Sequence, residues 1–142
     1  MFNFFKKKEK VLENPTTNIA ALLIHVAKID QNYTNKEREM IKKAINELDP
    51  KVKNVEEILL NAEEIEKNSN QILDFTKEVK NMNEDSKIKI VEVLWNIIYS
   101  DNNPDIYENN LMRRLTGLLY LDPKVVGNIK EKTINKFKKW LI

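Results

Sequence analysis

A chain of 142 residues with 2 Gly, 4 Pro and no Cys is one domain's worth of sequence, long enough to bury a core. It has no thiol for a disulfide, a thiolate metal site or a Cys nucleophile. The first ten residues carry four Lys against one Glu and the last twenty carry six against one, which leaves 11–122 with a net charge of −6. An acidic body between basic ends lacks the basic face that a nucleic-acid surface needs.

Gly and Pro scarcity, with Ile, Leu, Lys, Glu and Asn in abundance, predicts an all-α protein. Seven helices follow from the spacing of apolar residues. The first covers about 16–30, with Thr16 or Thr17 as its cap and Ile19, Leu22, Leu23, Val26 and Ala27 on one stripe. The second runs from Thr34 to about Leu48. Thr34 and Glu37 form a capping box, and Asp49-Pro50 ends the helix. The third covers about 54–66 and the fourth about 70–80, the latter built on Ile72, Leu73, Phe75 and Val79. The fifth, about 84–100, is the most apolar, with Trp95 at its centre. Asp105 is placed to cap the sixth, about 106–119. Asp122-Pro123 opens the seventh as cap and first-turn Pro, and that helix either continues to the end or breaks near Gly127.

Residues 1–12 read as a basic tail and 13–142 as the helical domain. The start, MFNFFKKKEK, places Phe before its positive charges and has no apolar h-region of a secretory signal. No apolar run approaches the roughly 20 residues that span a bilayer. The C-terminal KTINKFKKWLI reads either as a last helix packing its stripe on the core or as a basic amphipathic segment at a membrane surface.

One pattern occurs twice, 71 residues apart: an apolar helix, an Asp, a polar loop, and a Glu seven residues after the Asp. AALLIHVAKIDQNYTNKEREMIKKAI carries Asp30 and Glu37; VEVLWNIIYSDNNPDIYENNLMRRLT carries Asp101 and Glu108. The offset places Leu23 on Leu94 and His25 on Asn96. The expected architecture is a bundle with two pseudo-symmetric helix–acidic loop–helix repeats. The loops gather oxygen ligands of the kind that Ca²⁺ or Mg²⁺ takes: Asp30, Asn32, Thr34 and Glu37 in the first, Asp101, Asn103, Asp105 and Glu108 in the second. Neither is an EF-hand. The second has Ile106 where that loop needs Gly and Met112 where it needs Glu; the first has Asn35 and Ile41. The same residues also read as structural, Glu37 and Glu108 favouring helix N-termini and Asp30 and Asp101 tying down loop amides.

Enzyme chemistry finds little support. His25, the only His, lies mid-helix among apolar residues, and the sequence supplies no phosphate-cradling Gly loop or activated nucleophile. Lys42–Lys43 and Arg113–Arg114 read as solvated faces or as ion pairs to acids such as Glu39.

IDQNYTNKEREMIKKAI and YSDNNPDIYENNLMRRLTGLL resemble the two signature segments of the tellurite-resistance B (TerB)-like family, and the resemblance covers about 16–122. It implies a compact seven-helix domain with internal pseudo-twofold symmetry and an acidic surface proposed to bind divalent metal. Carried over by position, its residues are Asp30, Glu37, Asp101 and Glu108. The sequence departs from the family pattern after each Asp, where Gln31 and Asn102 replace Gly; Gln tolerates φ > 0 less well than Asn. Family members are linked to tellurite and general stress resistance, often beside membrane proteins, with no established enzymatic activity. The expectation is a cytoplasmic binding or scaffold module, not an enzyme, with a protein partner. It would respond to Ca²⁺ or another divalent cation through Asp30, Glu37, Asp101, Asn103, Asp105 and Glu108. The alternatives are a peripheral adaptor using the basic ends at the inner membrane face and, last, a metal-dependent enzyme.

Overall fold

The computed structural model describes residues 15–29, 33–69, 73–100 and 106–140. Among these described residues there are seven helices: α1 (Pro15–Ala27), α2 (Asn35–Leu48), α3 (Val55–Lys67), α4 (Leu73–Lys80), α5 (Glu84–Tyr99), α6 (Ile106–Leu118) and α7 (Pro123–Trp140). Among the described residues there is no strand, and no helix is long and apolar enough to cross a membrane. The basic tail at 1–12 lies outside the described residues.

Side-chain caps set several boundaries. Thr34 accepts the Glu37 N–H while Glu37 Oε1 accepts the Thr34 N–H at 3.0 Å, so the predicted capping box opens α2. Asn54 and Asn83 open α3 and α5 by accepting the amides of Glu57 and Ser86. The Asp122 carboxylate accepts the Lys124 N–H at 2.9 Å in the first turn of α7. Each such bond satisfies one of the four amides that a helix start leaves without a partner.

One expectation is corrected, and one open alternative is resolved. Thr16 and Thr17 lie inside α1, which starts at Pro15. Both are buried, and the Thr16 hydroxyl donates to Asp49 Oδ2 at 3.0 Å, tying the start of α1 to the end of α2. Helix α7 does not break at Gly127. The glycine sits inside the helix, and an added Cβ would meet nothing within 4 Å.

Helix α6 ends in a Schellman motif, with Leu121 N–H donating to the Thr116 carbonyl and Tyr120 N–H to that of Gly117. The turn requires a left-handed residue, and Tyr120 takes it at φ 55°. Its exposed ring has the Lys80 ammonium 4.6 Å from its centre.

The core is centred on α1 and α5. Helix α1 packs on α2, α3, α4 and α5, with α3 its most extensive partner; α5 packs most extensively on α7. Leu23 and Leu94, matched by the offset of 71, are both fully buried. The same offset carries α3 onto α7, placing Val55 at Val126 and Ile58 at Ile129. Trp95 is buried and donates its indole N–H to the Val126 carbonyl at 3.1 Å, which fixes α5 against α7. An indole buried this way needs such a partner.

Two outcomes follow. Leu94→Ala should lower the unfolding free energy by about 2–5 kcal/mol, the range for deleting a buried leucine side chain. Gly127→Ala should raise it by about 0.5–1 kcal/mol, because an exposed mid-helix position gains helix propensity with no clash. Urea denaturation of both variants beside the parent chain reads both effects.

Candidate functional site

Of the six residues expected to bind metal, Asp30, Asp101, Asn103 and Asp105 lie outside the described residues. Glu108 is in the first turn of α6, with its side chain outside the described set. Glu37 is placed fully. It is 6 % exposed, and its Oε1 accepts from both the backbone N–H and the hydroxyl of Thr34, at 3.0 and 3.1 Å. This is the capping role, with one carboxylate oxygen committed to the helix start. Among the described residues no three His, Asp or Glu gather as a metal centre would require. The flanks of the two acidic loops do meet. Lys36, in the first turn of α2, donates its ammonium to the Ser100 carbonyl at the end of α5, 3.3 Å away. The segment before the second loop is thereby bound to the segment after the first.

Beyond the pairing of Lys42 with Glu39, the sequence reading did not find the ionic seam between α1–α2 and α3. Glu66 is 8 % exposed; its Oε2 accepts from Lys28 at 2.7 Å, and its Oε1 is 3.4 Å from His25 Nδ1. His25 therefore belongs to a structural cluster, stacked obliquely on Phe75 at 6.2 Å. Arg38 holds both Glu56 and Glu63, and Lys42 reaches Glu56 at 3.1 Å and Glu39 at 3.7 Å. The signal was present as complementary spacing: Arg38 and Lys42 are one turn apart on α2, and Glu56 and Glu63 two turns apart on α3. Tyr33 places its hydroxyl in this seam, buried without a hydrogen bond of normal geometry among the described residues. Burial first, then the Glu63 charge, raises its pKa.

The hydrogen bonds from Arg38 and Lys42 pull the Glu56 carboxyl down from 4.5 to about 2. A folded pKa below the unfolded one stabilises the fold above pH 4.5, and that contribution is lost as pH falls from about 4.5 to about 2. Glu56→Gln should therefore flatten the acid limb of stability within this window and leave the slope above pH 5 unchanged. Urea midpoints measured from pH 7 to pH 2 on both proteins check the sign.

On the opposite side, α2, α5 and α7 enclose a groove. It has two confluent depressions of about 370 Å³ each, joined at Glu92, Asn96 and Lys136. Its floor is partly apolar, with Ala44 and Val93 in one depression and Ile88 and Ile129 in the other. Five Lys line it against two Glu. Glu47 is paired with Lys89 at 2.8 Å, which pulls its carboxyl below the usual range through the hydrogen bond. Lys43, Lys132 and Lys136 are exposed and have no carboxylate within 4 Å among the described residues.

The sequence pattern of the family described as "Tellurite resistance protein TerB" matches residues 16–131. Neither a curated protein nor a solved structure matches the chain. The matched region runs from the first turn of α1 into α7 and includes both acidic loops and the ionic seam. With most of the chain inside that match and an all-helical bundle as its fold, the protein belongs to the TerB family.

Proposed function

We propose that this TerB-family domain is a binding or scaffold module rather than an enzyme, serving a stress-resistance pathway of the tellurite type. Its two acidic loops form a divalent-cation-responsive end. The observation that carries the reading is the Lys36–Ser100 hydrogen bond, which joins the flanks of the two loops. Carboxylates from both loops then serve one end of the bundle, where a hard cation can draw on oxygens from either. The second loop supplies more charge, with Asp101 and Asp105 where the first has Asp30 and Thr34. Glu37 stays with the helix cap, so within the first loop Asp30 and Asn32 carry the larger part.

Melting curves of the parent chain and of Asp101→Asn, with calcium and with chelator, test this. Crowded carboxylates repel one another when no ion is bound. Asp101→Asn should leave the apo protein equally or slightly more stable and abolish the calcium-dependent rise in Tm. For the parent chain, calcium at about 100 times Kd should stabilise by about 2.7 kcal/mol. An Asp101 that only accepts loop amides gives the opposite result: loss of about 0.5–1.5 kcal/mol in the apo protein, and no calcium effect on either protein.

A further inference from the structure

We infer that the groove bounded by α2, α5 and α7 is a docking seat for an acidic amphipathic helix of a partner protein. This names a partner chemistry for the binding module proposed above, and rests on that reading. Position 25 of α1 faces α4: the His25 ring is 6.2 Å from that of Phe75, and α1 and α4 pack directly. Moving 71 residues along carries Asn18, Ala21 and His25 of α1 onto Lys89, Glu92 and Asn96 of α5, and these three line the groove. The face of α1 that seats a helix thus has its counterpart on α5 in the groove. Ile88 and Ser100 mark its two ends on α5, so it runs for roughly 18 Å at 1.5 Å per residue, enough for about 12 helical residues.

Charge selects the kind of helix. The α1 face offers Asn18, Ala21 and His25, whereas the groove carries Lys36 and Lys43 on the α2 wall and Lys132 and Lys136 on the α7 wall. Cations on both walls focus a positive field on the space between them. The apolar floor at Ala44, Val93 and Ile129 asks for apolar side chains on the same ligand. Other anions fit less well. A single-stranded nucleic acid would want aromatic stacking platforms, and the lining has none among the described residues. A bilayer is flat, and the lysines stand on the walls of a groove. A small inorganic anion needs converging donors, not cations spread over two walls. The chain's own first ten residues carry four Lys against one Glu, the wrong sign for this seat.

The test uses the full chain and a fluorescein-labelled helical peptide of about 12 residues built from Glu and Leu at helical spacing. Anisotropy is read at low salt with chelator present. The peptide should bind saturably, and added salt should weaken it. Reversing the exposed groove lysines together (Lys43→Glu, Lys132→Glu, Lys136→Glu) should weaken binding at least about tenfold, the scale of a lost charge cluster. Lys51→Glu with Lys53→Glu, exposed between α2 and α3, should leave it unchanged. The neutral set, with Gln at positions 43, 132 and 136, should also weaken binding and serves if the reversed variant does not fold. The proposal is overturned if the peptide does not bind, if a Lys–Leu peptide binds equally, or if both reversal variants weaken binding alike. It is also overturned if vesicles containing phosphatidylserine bind through these lysines while the peptide does not. Salt-sensitive self-association of the free chain, lost in the groove variant, would make the occupant a second copy, docked through its exposed Glu57–Leu60–Glu64 face. Anisotropy in chelator reads the groove and calcium melting reads the loops, so either proposal can fail alone.

Discussion

Five consecutive residues of α1, Ala20 through Ile24, have no solvent exposure. A helix covered on one side needs only an apolar stripe; one covered on all sides must be apolar all round. That requirement places α2, α3, α4 and α5 against α1 and determines where the rest can go. Polar groups appear only where α1 approaches its ends. There they are tied, Thr16 to Asp49 and His25 and Lys28 to Glu66. The half-exposed pairs add little net stability, yet removing Glu66's partners would strand a buried carboxylate. Their effect is to fix α3 along α1, while Trp95 fixes α7 along α5 by one hydrogen bond to Val126.

Much of this was legible because it is local. The capping box at Thr34–Glu37 and the Asp122-Pro123 start of α7 are side-chain chemistry within one turn, and both appear as read. The apolar stripes of α1 and α5 followed from spacing, and Leu23, Leu94 and Trp95 lie in the core. What failed depends on tertiary context. Thr16 looked like a cap because Thr favours that place, but Asp49, 33 residues away, gives its hydroxyl a partner inside the helix. Gly127 left two readings of α7 open because glycine lacks helix propensity, and the helix that continues through it is the one packed on α5. The seam of Arg38, Glu56 and Glu63 joins two helices, and neither helix alone reveals it. The repeat was read only as far as its second helix, although the same offset also carries α3 onto α7.

The groove reaches the end of α5 that precedes the second acidic loop, at Ser100. Lys36 lines the groove and also donates to Ser100, beside the second acidic loop. On the two proposals made above, an anionic ligand and a cationic one are drawn to places that adjoin at this residue. The groove was not legible in the sequence, since Lys89, Glu92 and Asn96 lie on the most apolar helix and only the folded chain brings α2 and α7 up around them.

The central claim is that α1 and α5 form one buried hub on which the other helices depend. Native-state hydrogen exchange across a denaturant series measures this directly, because it separates local opening from global unfolding. The account predicts that amides of residues 20–27 and 90–98 exchange only through global unfolding, with the slowest rates in the chain, while those of α4 and the far end of α7 open locally. Exchange of the α1 amides by local opening, ahead of α3 or α7, would contradict it.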